Sequence, residues 1–68
     1  MKEISIRDDF IKLGQAMKLS GLSQSGSEAK EEITGGNVLV NGEKEERRGR
    51  KLYKGDIISF KGEEIKII

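Results

Sequence analysis

The sequence predicts an α+β fold in which two short helices pack on a small twisted, mostly antiparallel sheet. Apolar residues recur with a helical period in two stretches between positions 10 and 34, and from Val38 onward they recur with a period of two. The dipeptide Asn41-Gly42, a typical hairpin turn, divides the second region. A chain of 68 residues is long enough for one small domain. We therefore expect residues 1–68 to form a single domain.

The N-terminal part predicts one strand and one helix. Residues 2–6 alternate between polar and apolar side chains, which is typical of a half-buried strand. A helix is expected at about residues 10–20, because Asp8 and Asp9 can accept hydrogen bonds from the N–H groups of a first turn. Its apolar face would comprise Phe10, Leu13, Ala16 and Met17. Gly14 in this helix costs about 1 kcal/mol relative to alanine and indicates that another backbone approaches there.

The second helix has clearer boundaries. Ser25 and Glu28 form the Ser-x-x-Glu pattern of a capping box, and Gly35-Gly36 is a typical helix end. We therefore expect a helix at about residues 26–34. The strands that follow are predicted at 38–40, 43–46 (a polar edge strand), 57–60 and 64–68, with turns at Lys54-Gly55-Asp56 and Lys61-Gly62.

Composition excludes several chemistries. The chain has no cysteine and no histidine, which excludes disulfides, thiol nucleophiles, histidine bases and ordinary Cys/His zinc sites. Glu28, Glu31 and Glu32 share one helical face, but no nucleophile accompanies them, and we interpret them as a solvated acidic face. The sequence therefore predicts a protein without catalytic activity, metal or cofactor.

Positive charge is concentrated in one segment, residues 47–54, hereafter the basic segment. The whole chain has a net charge of only +1, yet this segment contains no acidic residue. Its cations are Arg47, Arg48, Arg50, Lys51 and Lys54. Guanidinium groups bind phosphate oxygens in pairs and lysines add point charge, so the basic segment predicts a site for a polyanion. The alternative is a solvated loop whose cations pair with Glu43, Glu45 or Glu46.

The sequence shows no signal for a membrane. Acidic residues stand near the N-terminus where a signal peptide would have an apolar stretch. No apolar run approaches the roughly 18 residues of a membrane span. We expect a soluble cytoplasmic monomer with no membrane partner.

Four stretches form a recognisable series: Lys12–Leu22, Ser27–Ile33, Val38–Gly42 and Lys54–Asp56. In this order and spacing they resemble the RNA-binding domain first seen in ribosomal small-subunit protein four. That family typically reads Arg-Leu-Asp-Lys-x-Leu, Ser-Glu-Ala-Arg-x-x-Ile, Val-x-Val-Asn-Gly and Lys/Pro-Gly-Asp. The resemblance covers about residues 12–58. The predicted N-terminal strand fits compact single-domain members of the YaaA/YbcJ type.

This resemblance implies non-catalytic binding of structured RNA through phosphate contacts, with ribosomal RNA or an assembling ribosomal particle as partner. It adds positions on the helices to the basic segment, but not Lys18, which has no basic counterpart in the family. The predicted RNA-binding residues are Lys12, Ser27, Lys30, Arg47, Arg48, Arg50, Lys51 and Lys54. The sequence departs from the family at Gly14, Gln15, Gly26 and Thr34, where Asp, Lys, Arg and a basic residue are usual. The basic segment would therefore carry more of the contact.

Aromatic residues are scarce. Phe10 and Phe60 lie on apolar faces and are expected in the core, whereas Tyr53 borders the basic segment. Since single-strand binders stack bases on exposed rings, this scarcity predicts recognition through charge and RNA shape. A protein-interaction module that uses the basic segment against an acidic partner remains the alternative. A ubiquitin-like modifier is not expected, because the sequence ends Lys66-Ile67-Ile68 and not in Gly-Gly.

Overall fold

The computed structural model describes residues 1–68 and contains two helices and seven strands. In chain order these are β1 (Lys2–Ile4), β2 (Ile11–Lys12), α1 (Leu13–Leu19), α2 (Gly26–Thr34), β3 (Val38–Val40), β4 (Glu43–Lys44), β5 (Lys51–Leu52), β6 (Ile57–Phe60) and β7 (Glu63–Ile67). One sheet has the order β1-β7-β6-β3-β4, and β2 pairs with β5 separately. Only β1 and β7 run parallel. The predicted α+β class with a mostly antiparallel sheet is confirmed.

The core lies between the helices and the five-stranded sheet. It consists of Ile4, Leu13, Ala16, Met17, Ala29, Ile33, Val38, Val40, Leu52, Ile58, Phe60, Ile65 and Ile67. On β3, Val38 and Val40 are buried while Leu39 between them is exposed, as alternation along a strand requires. Removing each such side chain from water contributes about 1.5–3 kcal/mol. This apolar layer holds the helices on one face of the sheet.

The elements with strong local signals form as predicted. α2 covers the expected residues, and its N-cap Ser25 accepts a hydrogen bond from the backbone N–H of Glu28 at 3.1 Å. Asn41 and Gly42 have φ of 53° and 83°, the positive values that a type I′ hairpin turn needs. β4 lies at an edge of the sheet, as expected. Local capping and turn chemistry therefore decide these boundaries.

The first helix begins at Leu13 and not near residue 10, so that prediction is wrong in its first turn. Asp8 and Asp9 do not cap it. Instead β2 occupies the end of the predicted first turn in an extended conformation and pairs antiparallel with β5. This pairing satisfies backbone groups with residues far along the chain and overrides the local capping signal.

Smaller differences concern strand ends and one aromatic side chain. β1 is shorter than predicted, although Ile6 N–H still donates to the carbonyl of Ile68 at 3.0 Å. Phe60 is buried, as expected, but Phe10 lies outside the helix and is only half-buried. No helix combines the length and apolar character needed to cross a membrane.

Candidate nucleic-acid interface

Backbone hydrogen bonds fix the basic segment against the start of α1. Leu13 N–H donates to the carbonyl of Arg50 at 2.9 Å, and Gly14 N–H donates to the carbonyl of Arg48 at 3.0 Å. The first N–H groups of a helix have no partner within it. Here carbonyls of the basic segment take the place of a capping side chain, since Lys12 at the N-cap provides none. The cations of the segment are thereby held beside α1.

Gly14 marks the point where the two backbones meet, which confirms the predicted close approach. A Cβ atom at this position would lie 3.7 Å from the carbonyl oxygen of Arg48, an ordinary van der Waals distance. A methyl group would therefore fit against Arg48, so the glycine does not relieve a clash.

Gly14 lines an open groove of about 310 Å³, hereafter the basic groove. Three cations line it, Lys12 from β2, Lys18 from α1 and Arg48 from the basic segment. The other lining residues are Gly14, Gln15, Gly26, Ala29 and Gly49. Most of these are small, so an anion can come close to the backbone. No acidic residue lines the groove, and the arrangement suits phosphate.

Two lysines face each other across the β2–β5 ladder. Lys12 lies directly opposite Lys51 in antiparallel register, so both side chains project from the same face. Both residues are exposed, and neither forms an ion pair. Like charges in directly opposed positions destabilise a sheet. The ladder therefore keeps a positive surface at a cost to folding stability.

Glu45 binds two cations of the basic segment. Its side chain is only 7% exposed, and its carboxylate accepts hydrogen bonds from Nε of Arg47 at 3.0 Å and Nη1 of Arg50 at 2.8 Å. A further guanidinium nitrogen and the backbone N–H of Arg47 also donate to it. The pKa of Glu45 is lowered to about 2. The hydrogen bonds from the Arg47 side chain contribute most to this shift, and the hydrogen bond from Arg50 contributes next. The carboxylate in turn raises the pKa of Arg47.

The ion pairs around Glu45 overturn one prediction, and they decide between the two interpretations of the cations in the basic segment. The predicted polar strand at 43–46 is wrong at Glu45, which is buried because two guanidinium groups compensate its charge. For Arg47 and Arg50 the structure matches the alternative in which loop cations pair with a neighbouring glutamate. Arg48 forms no such pair and lines the basic groove.

The remaining predicted residues fall into two groups. Lys12 and Arg48 line the basic groove, and Lys51 lies opposite Lys12. The predicted residues that are exposed but do not line the groove are Ser27, Lys30 and Lys54. The structure thus brings only part of the predicted set together.

Lys18 also lines the basic groove and is not among the predicted RNA-binding residues. It follows Gly14 by four positions, and residues at that spacing share a helical face. Helical spacing from Gly14 is therefore the signal that could have identified it. The resemblance to the family does not indicate Lys18, because the corresponding family position is not basic.

The acidic face of α2 differs from expectation at one residue. Glu28 and Glu31 are exposed, but Glu32 is half-buried and accepts a hydrogen bond from the Ser23 hydroxyl at 3.0 Å. The chain contains no group of acidic side chains arranged to hold a metal ion.

Residues 4–68 match the model of the S4 domain family. The chain belongs to this family. The resemblance seen between residues 12 and 58 is therefore confirmed, and the match extends from Ile4, the last residue of β1, through β7.

Two curated proteins and one solved structure are similar to this S4 domain. It is 49% identical over 59 residues to the probable ribosome maturation protein RlbA of Bacillus subtilis, which covers 87% of this chain and 83% of the relative. It is 36% identical over 58 residues to the putative RNA-binding protein YbcJ of Escherichia coli, with coverages of 85% and 83%. The solution structure of YbcJ from E. coli, described as revealing an alfaL motif involved in RNA binding, matches with a TM-score of 0.77 and 33% identity. That match covers 100% of this chain and 87% of the other.

Proposed function

We propose that this S4 domain binds structured RNA without catalysis, and that successive phosphates lie along the basic groove and the Lys12–Lys51 pair. The observation that carries the proposal is the direct opposition of these two lysines. Their repulsion has no benefit for folding, but a phosphate between them would turn it into attraction. The other two groove cations, Lys18 and Arg48, extend the same surface, and no acidic residue lines the basic groove.

The geometry supports a division of labour within the basic segment. Arg48 is the arginine available to phosphate, whereas Arg47 and Arg50 hold the segment in shape through Glu45. Because Arg47 keeps 76% of its side chain exposed, it still contributes to the positive potential of the basic segment. Peripheral contacts to the same RNA are assigned to Ser27, Lys30 and Lys54.

We further propose ribosomal RNA, alone or in an assembling ribosomal particle, as the target. The names of the relatives support this choice, since one is called a ribosome maturation protein and the other an RNA-binding protein. Phosphate contacts position a protein but carry no sequence information. The domain would therefore select its RNA by the spacing of phosphates in a folded structure.

The test is a fluorescence-anisotropy titration with a structured ribosomal RNA fragment across a salt series. If Lys12, Lys18, Arg48 and Lys51 each neutralise one phosphate, log affinity should fall against log salt with a slope of about −3 to −4. Two double variants, each losing two positive charges, separate the groove from the periphery. They are Lys18→Gln with Arg48→Gln, and Lys30→Gln with Lys54→Gln.

The groove variant should lose about two units of slope and bind far more weakly, while the peripheral variant should change less. Equal losses in both variants would contradict the groove as the principal site. If the native protein shows no RNA binding but retains an acidic protein partner after nuclease treatment, the RNA function itself fails. The protein-interaction alternative would then replace it.

A further inference from the structure

A second groove of about 700 Å³ lies beside the basic groove, and two residues, Gln15 and Lys18, line both. Its walls include Ile6, Phe10, Ile11 and Leu19, and we call it the apolar groove. Leu19 is 62% exposed although it is a large apolar side chain. An open surface of this kind, continuous with a cationic one, suits a ligand that has an apolar part and an anionic part.

The β2–β5 ladder determines where the ring of Phe10 lies. One step beyond the paired residues Ile11 and Leu52, the ring of Phe10 lies 6.2 Å from that of Tyr53, with the planes inclined at 53°. The Nζ of Lys51 lies 4.8 Å from the centre of the Phe10 ring. These contacts hold Phe10 in place while it remains half-exposed in the groove wall.

The charges around the two grooves distinguish the parts of a nucleotide. Asp8 lines the apolar groove but not the basic groove, and Arg7 and Lys18 line the apolar groove with it. The carboxylate of Asp8 offsets part of this positive charge, so phosphate is attracted more strongly to the basic groove, and it can accept hydrogen bonds from the amino groups on base edges. Gln15, at the junction, can both donate and accept. The basic groove therefore fits phosphates, and the apolar groove fits an uncharged base.

We propose that the apolar groove holds one unpaired base of the bound RNA, in contact with Phe10, while the adjoining phosphates occupy the basic groove. This inference rests on the proposed RNA function and adds a requirement to it. The preferred RNA must offer a nucleotide that is flipped out of its helix, as in a bulge or loop. Recognition would then include a base as well as charge and shape.

The experiment compares two RNA hairpins that are identical except at a single-nucleotide bulge, which carries either a base or an abasic ribose. Titrations at several salt concentrations give affinity and slope for each hairpin. A single stacked base should make the first hairpin bind about tenfold more tightly than the second. Both should give the same slope, because their phosphates are the same.

Variants assign the effect to the groove. Phe10→Leu keeps an apolar side chain but removes the ring, and Leu19→Gln alters an exposed side chain that folding does not need. Both variants should reduce the ratio of the affinities for the two hairpins from about ten toward one. The slope of log affinity against log salt should stay unchanged. Leu39→Gln is the matched control, since Leu39 is also exposed but does not line either groove; it should keep the preference. Ring protons of Phe10 should shift in NMR spectra only with the base-bearing hairpin.

The outcomes separate the two proposals. If neither hairpin binds, or binding is insensitive to salt, the RNA function fails. Equal affinity for both hairpins with a normal slope would overturn only the base-binding role. The same holds if the groove variants keep the preference, because the base would then bind elsewhere.

Discussion

Arg50 contacts Glu45 through a 2.8 Å hydrogen bond from Nη1 to Oε1, while its own backbone carbonyl accepts from Leu13 at 2.9 Å. One residue thus connects a buried carboxylate near the sheet edge with the first turn of α1. The charge of Arg50 therefore stabilises the fold by binding the carboxylate of Glu45. Arg48, two positions earlier, is thereby left to face the basic groove.

Replacing Glu45 with Gln should destabilise the domain at neutral pH by roughly 1–3 kcal/mol, because an amide cannot accept the charged hydrogen bonds of both arginines. The pKa of Glu45 is about 2 in the folded state, below its ordinary value of 4.5. Its stabilisation is therefore complete above about pH 4.5 and is lost as the pH falls toward 2. Urea unfolding at steps between neutral pH and pH 2 measures both effects.

Glu46→Gln is the matched control for this experiment, because Glu46 is exposed and forms no ion pair. It should change stability by less than about 0.5 kcal/mol. The Glu45→Gln protein should lose less stability on acidification than the native protein. Identical acid profiles for the two variants would show that the carboxylate is not bound to the arginines in solution.

Lys12→Glu should make the domain more stable and a poorer RNA binder. The change converts the like-charge pair with Lys51 into an opposite-charge pair, a gain of roughly 0.2–1 kcal/mol. It also places a negative charge in the basic groove. Lys12→Glu should raise the melting temperature and weaken the affinity for RNA. In both measurements Lys12→Gln should lie between Lys12→Glu and the native protein. A variant that lost stability would contradict the observed register.

Gly26→Arg should strengthen RNA binding. A Cβ atom at this position would meet no other atom within 4 Å, and Gly26 lines the basic groove. The resemblance to the family indicates that an arginine is usual here. One added phosphate contact should make the salt slope more negative by about one unit. Gly26→Gln, which has a long side chain without the charge, should leave the slope at its native value.

Gly14→Ala should stabilise the domain by about 0.4–1 kcal/mol, because alanine restricts the unfolded chain more than glycine does. Gly14 does not have a positive φ, and the added methyl group has room. Chemical unfolding of the two proteins measures the difference. A loss of stability would mean that the carbonyl of Arg48 lies closer to α1 than the structure shows.

The parts of the fold that the sequence predicts correctly depend on local patterns, in which the deciding residues lie within a few positions of each other. Ser25 with Glu28 defines the start of α2, and Asn41 with Gly42 defines the hairpin after β3. The start of α1 could not be predicted in this way. It depends on β5, which lies far along the chain and pairs with β2.

The candidate site shows the same limit. The positive charge of the basic segment is visible in the sequence, but its division between fold and groove is not. Glu45 has the sequence context of an exposed residue, and only the geometry reveals that it is buried with Arg47 and Arg50 around it. Likewise, Phe10 carries the pattern of a core residue until the β2–β5 ladder places its ring beside Tyr53.

The parallel pairing of β1 with β7 has a consequence for the order in which the domain can fold during synthesis. Lys2 lies opposite Ile65, and Ile4 lies opposite Ile67, so the first strand has no partner until the last one has left the ribosome. The residues that line the basic groove lie between 12 and 49, and the β5 residues that hold β2 beside it end at Leu52, so the groove can take shape earlier. Since contacts between distant residues close late, we expect docking of β1 to be the final step. The proposed RNA-binding surface of a nascent chain would then exist before its sheet is complete.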